Sequence, residues 1–153
     1  MTRRLRLARN CAGTATIELA LIAPVLLGML IGLIDLGTTY SNKLRLEQVA
    51  QRTIEKVQAK TFTTNMETAL EAEAAAAAGT GAVADLTYWL ECNGTKMTGA
   101  GAYTAGCTNG QTYARYVQLS IQRNYMPLLV AHFGTYNANG SVTLHGKAGI
   151  RIQ

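Results

Sequence analysis

Two sets of residues in this sequence have the types and spacing to do chemistry. The first is Glu18, the one charge in an apolar run from Thr14 to Ile34, with Gly13 five residues before it. A carboxylate held in hydrocarbon costs a few kcal/mol unless it is paired or reaches the surface. Glu18 is therefore read as a functional charge and not as an interfacial residue touching headgroups. The second set is Cys92 and Cys107, set in a stretch rich in Gly, Thr and Asn. Outside the cytoplasm those two can pair and Cys11 is left over. Neither has a second ligand two to four residues away, so the spacing fits no zinc site. His132 and His145 are isolated from any Cys, Asp or Glu at catalytic or metal-ligand spacing. No catalytic residue, metal site or cofactor is expected, and enzymatic function is the least favoured class.

The elements that must position these residues begin with a basic tail. Arg3, Arg4, Arg6 and Arg9 all precede Gly13, and without them the chain holds 10 basic against 9 acidic side chains. Charge gathered beside an apolar run is the pattern of a cytoplasmic anchor. No basic stripe with interleaved aromatics occurs elsewhere, which argues against nucleic acid. An ordinary secretory signal needs small residues in A-x-A order after the run, but Asp35-Leu-Gly-Thr-Thr-Tyr40 follows. A lipoprotein signal needs its run before the cysteine, and Cys11 precedes it. The reading left is a leader, residues 1–13, removed ahead of a run that stays attached.

Thr14 to Ile34 is 21 residues, which as a helix spans roughly 30 Å, the thickness of a bilayer core. Pro24 is expected to loosen this helix by removing one backbone hydrogen bond. Gly28 and Gly32 form a G-x-x-x-G pair that permits close helix approach. Asp35 is expected as a solvated charge at the far boundary. Tyr40, Leu44, Val49, Thr53, Ile54 and Val57 then recur at helical spacing among charged residues. The spacing predicts one helix from about 14 to about 60, spanning first (14–37) and amphipathic second. Its stripe packs on a small downstream domain; a coiled coil would need more heptads.

Thr64 with Glu67 has the form of a capping box, and 66–78 is strongly helix-forming up to Gly79. Glu67, Glu71 and Glu73 are expected in solvent. Strands are expected at 84–92, 113–123 and 142–152. In the second, Val117, Leu119 and Ile121 share one face; in the third, Val142, Leu144, Ala148, Ile150 and Ile152 do. Residues 93–111 read as a loop with turns at two Asn-Gly pairs, and a short helix is expected after Pro127. The expected fold is α+β: a long N-terminal helix, a short second helix and a three-stranded antiparallel sheet, with residues 38–153 as one head. A Cys92–Cys107 bond would staple it, worth about 3 kcal/mol at this loop length.

The segment Gly13-Thr-Ala-Thr-Ile-Glu18-Leu-Ala-Leu-Ile-Ala-Pro24 resembles the processing and assembly signature of type IV pilin-like proteins. More narrowly it is similar to the TadE/TadG-like pseudopilins of tight-adherence (Tad/Flp) pili. The C-terminal part is similar too, in Tyr116-Val-Gln-Leu-Ser-Ile, the Pro127 connection and the closing Val142-Thr-Leu-His-Gly-Lys-Ala strand. Leu19 departs from the aromatic that many relatives carry. The resemblance implies a pilin-like fold and a prepilin peptidase that cuts between Gly13 and Thr14, making Glu18 the fifth residue. It implies other pilin-like subunits and an inner-membrane assembly platform as partners, with the N-terminus cytoplasmic and the head periplasmic. Two other function classes stay open: a membrane-anchored periplasmic binding module, and a type II secretion pseudopilin.

Overall fold

The computed structural model describes residues 12–98, 101–128 and 136–152, and of residues 12–14 the backbone only. The arginine-rich leader up to residue 11, Cys11, His132 and most of the connection after Pro127 lie outside the described residues.

Helix α1 runs unbroken from Ala12 to Lys60, about 74 Å at the helical rise. It continues through Pro24. Its two halves meet different surroundings. Every large apolar side chain from Ile17 to Leu36 is exposed, whereas Leu46, Val49, Ala50, Thr53, Ile54 and Val57 are buried. The buried set recurs every three to four residues, the stripe a helix lays on a sheet. Val49, Thr53, Ile54 and Val57 lie on it as expected, and its N-terminal members differ. Tyr40 and Leu44 are exposed, and Leu46 and Ala50 take part instead.

The 3-10 turn Thr64–Met66 leads into α2, Glu67–Ala78. No side chain caps either start, so the expected Thr64–Glu67 capping box does not form. The turn reverses the chain through backbone bonds instead, with Met66 N–H donating to Thr63 C=O at 3.0 Å. Leu70, Ala74 and Ala78 form the buried face of α2, and the alanines let it lie close to the sheet. Its C-terminal carbonyls are answered by cations: Arg45 donates to Ala77 C=O and Arg123 to Ala78 C=O, each at 3.4 Å.

The sheet has four strands, one more than expected. In chain order they are β1 (Ala82–Cys92), β2 (Thr95–Lys96), β3 (Tyr113–Tyr125) and β4 (Val142–Arg151). The spatial order is β2-β1-β3-β4, antiparallel throughout. The added strand follows from Asn93-Gly94. Both residues have positive φ, 49° and 78°, the two-residue turn that closes a tight hairpin. The remainder of that expected loop contains a short helix, α3, Ala102–Ala105. Cys92 and Cys107 are joined by a disulfide with Cα atoms 5.7 Å apart.

Both helices cover one face of the sheet, α1 over β3 and β4 and α2 over β1. Val117, Leu119 and Ile121 are fully buried under them, as the alternation requires. Gly146 fixes the closest approach. A Cβ there would stand 2.5 Å from the Leu46 carbonyl carbon and 2.7 Å from Glu47 N. Only a residue without a side chain lets the two backbones meet. Gly146→Ala should lower unfolding stability by about 1–3 kcal/mol through overpacking. Gly149→Ala, where a Cβ makes ordinary contacts of 3.4 Å and more, should stay within about 0.5 kcal/mol. Denaturant midpoints of the two variants check this.

Candidate functional site

The residues singled out for function lie mostly on the first half of α1. Gly13 and Thr14 are in the first described turn of α1. Glu18 is one turn further along, about 6 Å of rise beyond Thr14, and is exposed. Pro24 and Gly28 are exposed, and Gly32 is half-buried. Nothing lies within 4 Å of a Cβ built on Gly28. Among the described residues, none is approached closely at Gly28. The structure does not bring Glu18, Pro24 and the glycines together into a pocket; they succeed one another along an exposed apolar rod. That rod is long and apolar enough to cross a membrane, and none of its most apolar stretch is buried in the protein.

Where the rod enters the head, the structure departs from the sequence reading. Asp35 is 8% exposed and not a solvated boundary charge. Tyr125, the last residue of β3, donates its hydroxyl to Asp35 Oδ1 at 3.0 Å. The Thr38 hydroxyl lies 2.8 Å from the Tyr125 oxygen and 2.9 Å from Asp35 C=O. It has one proton to give to one or the other. Thr39 donates to the same carbonyl at 2.8 Å. Threonines that bond back to a carbonyl three or four residues earlier can bend a helix. They stand at the point where α1 passes from exposed to packed. Asp35 and Tyr125 are 90 residues apart. The one signal for their meeting was an acid closing the apolar run and a tyrosine closing the alternating strand.

Two acids of α2, Glu67 and Glu71, are half-buried and engaged, contrary to expectation, while Glu73 is exposed as expected. Leu86 N–H donates to Glu71 Oε1 at 2.8 Å, and the Tyr88 hydroxyl donates to Glu67 Oε2 at 3.1 Å. Glu73 pairs with Lys56. The first of these covers an amide on the otherwise open edge of β1. The Glu67 hydrogen bond, then burial, then the carboxylate's charge hold the Tyr88 hydroxyl above the usual tyrosine range. His145 is exposed on the polar face of β4. Among the described residues no three His, Cys, Asp or Glu side chains are grouped to hold a metal ion.

The family model for TadE-like protein matches residues 13–54. Over this segment the chain is similar to TadE-like proteins. The match begins at Gly13, takes in Glu18, Pro24 and both glycines of the G-x-x-x-G pair, and ends at Ile54 inside the core. The TadE-like segment is thus the exposed rod plus most of the stripe that seats it on the sheet. The strands and the disulfide lie beyond it. No curated protein and no solved structure matches the chain.

The Asp35–Tyr125 contact should carry measurable stability. Tyr125→Phe removes the donor to a buried carboxylate and should cost about 1–3 kcal/mol. Tyr40→Phe, at a residue 61% exposed, should be silent. Thermal unfolding of the two variants in the same detergent compares them.

Proposed function

We propose that this chain is a minor pilin-like subunit of a Tad-type pilus, made with a leader and cut between Gly13 and Thr14. The observation that carries this reading is the TadE-like match laid over a single helix whose first half is apolar and unpartnered. In this reading the span is held in the inner membrane with the leader cytoplasmic and the head periplasmic. A prepilin peptidase removes the leader, and an assembly platform passes the subunit to other pilin-like chains. No catalytic role is assigned.

Glu18 supplies the recognition step. Cleavage gives Thr14 a free ammonium. Within one helix Glu18 sits a turn away from its own Thr14, and its side chain is exposed. In a stack of subunits it pairs with the Thr14 ammonium of a neighbour. Two charges leaving water together are tolerable when they meet, and a lone buried one is not. The pair would fix the axial register of the incoming subunit, and Gly28 and Gly32 would let the rods pack closely.

Glu18→Ala should still be cleaved and inserted, yet fail to support pili; normal piliation in that strain overturns the pairing. Mass spectrometry of the membrane form should show Thr14 as its first residue. Recovery of a chain that keeps Met1 to Gly13 would favour a plain membrane anchor carrying a binding module.

A further inference from the structure

At the end of the sheet opposite the Asp35–Tyr125 contact lies a cleft of about 550 Å³, within the range of small-ligand pockets, about 300–1,000 Å³. Its walls are Tyr88, Trp89 and Tyr103, with Lys96 and Thr98 from the β2 side and Thr64 from the 3-10 turn. A second cleft of about 290 Å³ adjoins it across Tyr103 and Thr104.

The aromatic wall is preformed. Tyr103 meets Tyr88 and Phe62 edge-on, with ring centroids 5.1 and 5.7 Å away. Arg115 Nε donates to Tyr103 C=O at 3.2 Å, and its guanidinium carbon lies 5.6 Å from the ring centroid. The Cys92–Cys107 bond ties this segment to the end of β1. Trp89 stacks on Tyr116 at 5.2 Å and donates its indole N–H to Glu91 at 2.9 Å. Of the polar groups, the Tyr88 hydroxyl is given to Glu67 and the Lys96 ammonium lies 4.6 Å from the Trp89 ring centroid, while other neutral hydroxyls are free. No hydrogen bond joins the Thr64, Thr98 or Tyr103 hydroxyl to another described residue. Thr104 gives its proton to Gly101 C=O and keeps its lone pairs.

The backbone adds one more donor and acceptor. On β1, Leu86 N–H goes to Glu71, and Leu90 C=O accepts from Met97 N–H at 2.8 Å. By the two-residue alternation of a strand, Tyr88 presents its N–H and C=O on that same edge, facing the cleft. One open residue is too little edge for an added strand. It suits a small ligand with adjacent groups that both donate and accept.

We propose that this cleft binds a saccharide. A sugar offers apolar C–H faces to aromatic rings and neighbouring hydroxyls that donate and accept. The cleft offers the exposed edges of packed rings, neutral hydroxyls, the Lys96 ammonium and one backbone pair in return, on the end of the head turned away from the apolar rod. The site stands independently of the cleavage and of the Glu18 contact.

Trp89 is the only tryptophan and lies at the rim of the cleft between Tyr116 and Lys96, so its fluorescence reports on that rim. The full chain in detergent should be titrated with maltotriose, cellotriose and chitotriose. At least one should give a saturable change. Tyr103→Ala should weaken it about ten-fold. Thr98→Val, an exposed loop substitution that leaves the fold intact, should weaken it about five-fold. Absence of a saturable change with all three sugars overturns the proposal. So does binding left unaltered by both variants. A response to the extended peptide acetyl-Thr-Val-Thr-Val-amide and to no sugar would also overturn it, in favour of strand addition.

Discussion

The structure depends on one backbone-to-backbone contact, where α1 crosses β4 at Gly146. Leu46 stands so close that no side chain fits between them. That contact fixes the rotation of a rigid helix. Once Leu46 faces the sheet, Ala50, Thr53, Ile54 and Val57 must follow at helical spacing, and Lys43, Arg45 and Arg52 must turn outward. The same rotation settles where the other half of α1 points. Glu18 is 28 residues earlier on an unbroken helix, so its direction relative to the head is set by packing far from it.

A rigid helix in two surroundings needs its boundary defined, and a bare carboxylate would define it poorly. Asp35 is instead tied to the end of β3 by Tyr125, with Thr38 beside both. The sheet and the exposed rod thereby share one anchor at the place where burial begins. Lower down the helix the described residues leave every large apolar side chain exposed. Burying such surface gains on the order of 25 cal/mol per Å². An apolar surroundings for this segment is thus a strong thermodynamic demand, and the head cannot meet it.

Much of this was legible in sequence because the relevant patterns are local. An apolar run of bilayer length, an alanine-rich helix and two alternating strands each follow from spacing of two or of three to four residues. The Cys92–Cys107 pairing was legible because so few cysteines are available. What stayed hidden depended on contacts between distant residues or on very short elements. Strand β2 has two residues, below any periodicity, although Asn93-Gly94 marked its turn. The C-terminal part of the helix stripe was legible, but its start was not, because Tyr40 and Leu44 continue the apolar pattern of the rod and Leu46 is placed by Gly146 from a hundred residues away. Glu67 and Glu71 read as solvated because a helix shows its acids to water by default. Here they meet the open edge of β1, whose amide and tyrosine need acceptors.

The boundary of the TadE-like match has a physical sense. It stops at Ile54, where α1 is already seated, so it contains the rod and the means of holding it, and no distal surface. The rod must meet demands common to any helix placed in apolar surroundings, length and apolarity. The distal end is under no such demand. It is built from side chains stacked on each other, Trp89 on Tyr116 and Tyr103 among Phe62, Tyr88 and Arg115, and is closed by a disulfide. Those interactions keep a cleft open without drawing on the helix–sheet core. Its lining can change residue by residue while Gly146 and Leu46 keep α1 in place.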